Sequence, residues 1–301
     1  MIQQDYLIAG HRVRIEGEAL VRAVGAIKGF EVFKAEAGTE PLCRFVEAPF
    51  TADAAVLSGD ANRLPGIAKV LYAIEIDGVR SCFGTRTGGG YVFGTVAANG
   101  SILLLDMEED GSVTRFSGDF NPRQLRFACW IAYGVAAAPH KTVAIHTSTI
   151  RYRDRAVLFL GESGTGKSTH TRLWREHIAG AELLNDDSPI VRIVDGRAFV
   201  YGSPWSGKTD CYKNEHWPLA ACVRLSQAPY NKIDRLGVVA GYAALHPSCP
   251  PAFAYDERLY DHISAFLSDV LSTVPVYHLD CLPDADAARL SCQTVFGTCG
   301  K

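Results

Sequence analysis

Apolar and polar positions alternate through much of the first third of the chain. Tyr72 to Ile76 alternate, meet Asp77 and Gly78, and the pattern resumes from Val79 to Phe83. Ile102 to Leu105 lead through Glu108, Asp110 and Gly111 to Val113 and Phe116. Asp-Gly between β-prone runs predicts hairpins, because glycine takes positive φ at little cost. Residues 1–120 are therefore expected to form a β-rich domain built on an antiparallel sheet.

The pattern then changes. Asn121 followed by Pro122 reads as a helix cap with proline at the first helical position. Leu125, Ala128, Cys129 and Ala132 share one face of that helix. A short apolar strand is expected from Thr142 to Thr147. Another runs from Ala156 to Leu160 and, having no alternation, should be covered on both faces. Ile190 to Val194, Asp195-Gly196 and Ala198 to Tyr201 predict a third hairpin. Asp256 is placed to cap a helix over 257–272, with an apolar stripe at Leu259, Ile263, Phe266, Val270 and Leu271. Val274 to Leu279 reads as an edge strand, because Pro275 cannot donate to a ladder. The expected organisation is a β-rich domain over 1–120 and an α/β core with a mixed sheet over 121–301.

Composition narrows the class. Of 301 residues, 48% are hydrophobic and 21% charged, which excludes a disordered, collagen-like or coiled-coil chain. Thirty Lys and Arg against 33 Asp and Glu give a net charge of −3, no argument for a nucleic-acid partner. The longest apolar stretch, Phe127 to Pro139, is shorter than the roughly 20 residues a membrane helix needs. The polar first residues do not resemble a signal peptide. No membrane association and a cytoplasmic location are expected. The nine cysteines form no C-x-x-C pair and are expected to be reduced, mostly packed in cores.

The candidate chemistry lies in the second half. Gly161, Glu162, Ser163, Gly164, Thr165, Gly166, Lys167 and Ser168 fit G-x-x-x-x-G-K-[ST], between an apolar strand and a helix expected to start near Thr169. Glycines let backbone N–H groups turn toward phosphate oxygens, and the helix presents its positive end to them. Lys167 supplies a cation for the β- and γ-phosphates, and Ser168 a hydroxyl for Mg²⁺. Asp186 and Asp187 follow an apolar pair, 19 and 20 residues after Lys167. One is expected to help hold Mg²⁺ beside Ser168, and the other to accept the proton of an attacking hydroxyl. His146, ahead of the loop strand, is expected near the γ-phosphate if the two strands are neighbours. Trp205 and Lys208 are candidates for the wall of the acceptor pocket, and Arg224 and Arg235 for neutralising the transferring group. Asn231 to Asp234 spells N-K-x-D, the guanine-reading string of GTPases, but it follows Pro229 and Tyr230 and not a core strand.

Together these residues resemble the HPr kinase/phosphoenolpyruvate carboxykinase superfamily. HPr kinases have a His on the strand ahead of the loop, a G-x-S-G-x-G-K-S loop and an Asp-Asp pair at a similar interval. The matching residues here are His146, Gly161 to Ser168, and Asp186 with Asp187. The resemblance implies that Lys167 and Ser168 bind phosphates and Mg²⁺. It implies that Asp187 is the base with Asp186 on the metal side, roles that can be exchanged, and that His146 orients an Asp or a phosphate. HPr kinases carry an acidic residue where Thr169 stands, and Gly202 to Lys208 replaces their glycine-rich signature segment. Carboxykinases are far longer chains. The chain therefore looks more like a small kinase that phosphorylates a hydroxyl, such as serine, on an amino acid, peptide, protein or other small molecule, using ATP and Mg²⁺. The alternatives are a nucleotide-gated regulatory module and an HPr kinase/phosphorylase proper, and a homo-oligomer stays open.

Overall fold

Asp77 and Gly78 both take positive φ, 51° and 73°, as a two-residue hairpin turn requires, and Ile76 pairs with Val79 across it. The computed structural model describes residues 2–50, 66–207 and 209–299. The chain divides into two units, Met1–His140 with Pro251–Tyr260, and Lys141–Pro250 with Asp261–Lys301.

The first unit contains β1 (Gln3–Ile8), β2 (His11–Glu16), α1 (Glu18–Gly25), β3 (Lys34–Ala35) and β4 (Cys43–Glu47). It continues with β5 (Ile67–Ile76), β6 (Val79–Arg86), β7 (Tyr91–Ala97), β8 (Ile102–Met107), β9 (Val113–Gly118) and α2 (Pro122–Ala137). Among the described residues its sheet has the order β3-β1-β2-β4-β9-β8-β7-β6-β5. The sheet is mixed and not purely antiparallel, because β4 runs parallel to both β2 and β9. Asn121 caps α2 by accepting the Arg123 N–H at 3.1 Å. That helix buries Leu125, Ala128, Cys129 and Ala132, and its Gln124 Nε2 donates to the Thr95 carbonyl at 3.2 Å. These contacts group the helix with the first unit, so the division falls at residue 140 and not at the expected 120. The stretch Pro251–Tyr260 also belongs here: Phe253 packs on Phe83, and Tyr91 donates to Asp256 at 2.9 Å.

The second unit contains β10 (Thr142–Ala144), β11 (Ser148–Tyr152), β12 (Arg155–Leu160), α3 (Lys167–His177), β13 (Glu182–Asn185), β14 (Ile190–Val194), β15 (Arg197–Tyr201) and β16 (His216–Gln227). Then come β17 (Lys232–Arg235), α4 (Val238–Leu245), α5 (Glu257–Thr273), β18 (Val276–Cys281) and α6 (Ala285–Phe296). Helix α5 is capped by Asp256, which accepts the Leu259 N–H at 3.0 Å. The strand order is β10-β14-β15-β16-β12-β11-β13, with β18 paired to β16 and β17 to β18. This sheet is also mixed, so the protein is an α/β chain with two mixed sheets. Strand β12 lies between β11 and β16, and all its residues but Arg155 are buried. That agrees with a strand covered on both faces. Trp174, Phe159, Val157 and Cys292 are fully buried in the core that α3 and α6 share with the sheet.

Two further expectations are corrected. Strand β18 is flanked by β16 and β17 and is not an edge. Pro275 precedes it, so the missing N–H leaves no gap in the ladder. Cys292 and Cys299 form a disulfide, whereas the sequence reading has every thiol reduced. Gly297, at φ 76°, turns the chain back after α6 and brings the two Cα atoms to 6.0 Å. Among the described residues no helix is long and apolar enough to cross a membrane.

Candidate active site

Antiparallel pairing of β11 with both β12 and β13 makes β12 and β13 parallel. Thr149 sits opposite Leu158 on one side and Asn185 on the other. Two residues on, Leu160 and Asp187 therefore leave the same end of the sheet, about 10 Å apart at two strand spacings. The loop 161–166 follows Leu160 directly. Gly164 and Gly166 have φ of 84° and 109°, conformations that strain any residue with a Cβ. Gly166 ends the loop as the N-cap of α3, whose first amides have no partner within the helix. Lys167 folds back over the loop and donates from Nζ to the Gly161 carbonyl at 2.7 Å and the Glu162 carbonyl at 3.2 Å. Partial burial holds its ammonium below the ordinary lysine value, while Asp187, Glu162 and Asp186 oppose that shift.

Asp186 is 8% exposed. Its Oδ1 accepts from Ser168 Oγ at 3.1 Å and Ser148 Oγ at 2.7 Å. Its Oδ2 is buried and has no hydrogen-bond partner. A buried carboxylate oxygen left open beside a loop hydroxyl is a donor set that suits a hard cation. Among the described residues no group of three or more His, Cys, Asp or Glu side chains converges on a metal position. Ser168 Oγ and Asp186 Oδ2 are two oxygens that could hold such a cation, with its other positions left to water or ligand oxygens.

Asp187 is more open, with its side chain 43% exposed. Its Oδ2 accepts from Ser188 Oγ at 2.9 Å, and its Oδ1 lies 3.8 Å from His146 Nε2. His146 is not in a strand as expected. It sits in the link between β10 and β11, where the Thr147 N–H bonds the Asp187 carbonyl at 3.0 Å and its own N–H bonds the Ser248 carbonyl at 2.7 Å. Thr147 Oγ1 also donates to Phe159 on the loop strand at 2.8 Å. Partial burial and then the Lys167 cation hold His146 below the usual imidazole value, so the neutral ring prevails near pH 7. A neutral His146 accepts or donates a hydrogen bond without pairing off the Asp187 charge.

The other candidates divide. Arg224 lies opposite Leu160 in β16 and donates to Glu162 Oε1 at 3.1 Å, which puts a cation at the loop. Trp205 is 3% exposed, so its ring packs inside and offers no face to a substrate. The segment still matters, because Asn185 Nδ2 donates to the Trp205 carbonyl at 3.2 Å while Asn185 Oδ1 accepts the amides of Asp187 and Ser188. Lys208 lies outside the described residues. Arg235 is on β17, three strands from the loop strand, and does not join the cluster. Thr169 follows Ser168 in the first turn of α3. Ser148 and Asn185 belong to the site although no motif marks them, and Gly207, within the 202–208 segment, is brought against Asp186 and Asp187 by the fold.

The arrangement is a glycine-rich loop ending at the N-terminus of α3, with two carboxylates of unequal exposure at one side. No family model matches the chain, and no curated protein matches it. Among solved structures, an HPr(Ser) kinase/phosphatase from Coxiella burnetii is similar at 13% identity, covering 50% of this chain and 87% of that chain, with a TM-score of 0.28. The fold described here rests on its own strand order and registers.

Proposed function

We propose that the second unit transfers the γ-phosphoryl group of Mg·ATP to a hydroxyl, with serine of an amino acid, peptide or protein, or another small molecule, as the acceptor class. The observation that carries this reading is the Ser168–Asp186 contact with Asp186 Oδ2 left open, one residue from the more exposed Asp187. The loop amides and Lys167 hold the β- and γ-phosphates and offset their charge. Ser168 and Asp186 are the residues that would hold Mg²⁺, which would supply positive charge to offset that of the phosphates. Asp187 accepts the hydroxyl proton as the new O–P bond forms and the bond to the β-phosphate oxygen breaks, and ADP leaves. His146 orients Asp187. The residue motifs resemble those of the HPr kinase/phosphoenolpyruvate carboxykinase superfamily and support the same assignment.

The test is mass spectrometry of a metabolite and peptide pool incubated with the protein and γ-labelled ATP. Transfer should occur, and Asp187→Asn should slow it by about 10²–10⁴-fold, the usual contribution of a positioned base. Nucleotide affinity, measured by calorimetry, should stay within a few-fold. Tight Mg·ATP binding with no transfer to any acceptor sinks the kinase reading in favour of a nucleotide-gated module.

A further inference from the structure

The two oxygens of Asp186 are treated unequally. Oδ1 accepts two hydroxyl protons, from Ser148 at 2.7 Å and from Ser168 at 3.1 Å, while the buried Oδ2 accepts none. Ser168 belongs to the phosphate loop, but Ser148 does not. Ser148 opens β11, the strand between β12 and β13, and sits opposite Phe159 of the loop strand. From there its hydroxyl meets Asp186, just past the end of β13, and Thr171, one helical turn beyond Ser168 on α3. Ser148 and Thr171 are each 1% exposed, so water does not compete for these bonds.

We propose that Ser148, backed by Thr171, is a positioning residue that pins Asp186 Oδ1, presents Oδ2 alone to the cation, and so favours Mg²⁺ over Ca²⁺. The proposal rests on the Mg·ATP reading given above.

A count of protons sets the direction of the chain. Ser148 has one O–H, and of its two neighbours the carboxylate is the stronger acceptor. The Ser148–Thr171 contact at 3.0 Å then uses the Thr171 proton. Hydroxyls linked in this order, Thr171 to Ser148 to Asp186, polarise one another and strengthen the last bond. Each carboxylate oxygen has two lone pairs, so the two donors on Oδ1 leave it none. Ser168 can ligate through a lone pair while its proton stays on Oδ1. Asp186 therefore offers one oxygen and not two. That suits Mg²⁺, which binds through single carboxylate oxygens and water at about 2.0–2.1 Å in strict octahedral geometry. Ca²⁺ takes about six to eight oxygens at longer range and often both oxygens of one carboxylate, which here would break both hydroxyl bonds.

Ser148→Ala removes a donor and orphans none, because Thr171 Oγ1 has the Ser168 carbonyl at 3.2 Å as another acceptor. The test is calorimetry of ATP binding in EDTA, in Mg²⁺ and in Ca²⁺, read as the affinity each metal adds, with no turnover required. Ser148→Ala should cut the Mg²⁺ increment by about 10–100-fold, the usual effect of losing a partner that orients a metal ligand. The Ca²⁺ increment should fall by less than about threefold, since the freed carboxylate can then offer both oxygens. ATP affinity in EDTA should stay within about twofold, because the loop is untouched. Thr171→Val, which leaves the Ser148–Asp186 bond in place, should cut the Mg²⁺ increment by about two- to fivefold, and Thr171→Ser should restore it. An unchanged Mg²⁺ increment in Ser148→Ala and Thr171→Val, equal losses for Mg²⁺ and Ca²⁺, or a loss in EDTA as large as that in Mg²⁺ overturns the positioning role. If the wild type binds no ATP, or gains nothing from Mg²⁺, the Mg·ATP reading itself fails and the proposal falls with it.

Discussion

Gly207→Ala should impair chemistry while leaving the fold intact. Gly207 is exposed, and its φ lies outside the left-handed region, so alanine brings no backbone strain. A Cβ there would stand 2.8 Å from the Asp186 carbonyl oxygen and 3.1 Å from Asp187 Cβ. The closer contact falls about 0.6 Å short of ordinary van der Waals distance, so one segment must move. Neither moves freely. Asn185 holds the Trp205 carbonyl with its amide nitrogen and the Asp187 and Ser188 amides with its oxygen, so the two segments share one clamp. A misplacement of 1 Å costs about 10²-fold in rate, and half of that gives about tenfold in kcat. Tm should fall by about 2–10 °C, because crowding a backbone carbonyl costs about 1–3 kcal/mol, and the protein stays folded at assay temperature. Initial rates of transfer from γ-labelled ATP would be compared with those of Gly237→Ala, where the added Cβ meets open space. A correctly folded Gly207→Ala protein with kcat within about twofold of the wild type would refute the positioning role of 203–207.

Acid should weaken the first unit. The Arg14 guanidinium, with help from the Gly38 N–H and Arg12, holds the buried Asp5 carboxyl below its ordinary value. A depressed carboxyl stabilises the fold above the unfolded value, and that stability is lost as pH falls through the folded one. Urea midpoints taken from neutral to acid pH should therefore fall, with a shallower fall for Asp5→Asn; identical slopes would exclude Asp5 as a source. Ser291→Ala removes the partner of Trp174 Nε1 at 2.9 Å and of His170 Nε2 at 3.1 Å. It should cost about 1 kcal/mol by denaturant titration, since a buried hydrogen bond is lost while Trp174 Nε1 keeps His170 Nε2 at 3.3 Å as an acceptor. Reducing the Cys292–Cys299 bond, which closes a separation of seven residues, should cost about 2 kcal/mol, read as a lower urea midpoint with reductant than without.

Local signals were legible where the physics is local. Asn121 and Asp256 each cap a helix because a short acceptor side chain reaches the amide two or three residues on, whatever surrounds it. Asp77-Gly78 and Asp195-Gly196 turn as expected because positive φ at both positions is a property of the dipeptide. The loop 161–168 is legible for the same reason: its glycines and the helix after it are contiguous. Two signals of which strands become neighbours failed. Pro275 reads as an edge residue, yet one position later the chain enters a strand with two neighbours. The first sheet reads as antiparallel because hairpins are visible in sequence, while the parallel pairing of β4 with β2 and β9 joins distant segments.

The amino-acid sequence by itself determined the loop, the caps, the hairpin turns and the nearness of Asp186 and Asp187 in the chain, since each depends on residues a few positions apart. Only the tertiary structure decided which carboxylate is buried against Ser168 and which stands open beside His146, because burial depends on the β13–β11–β12 registers. It also buried Trp205, left Arg235 three strands away and placed Ser148, Asn185 and Gly207 in the site. Those outcomes follow from which strands become neighbours, and that is settled by packing across the whole sheet.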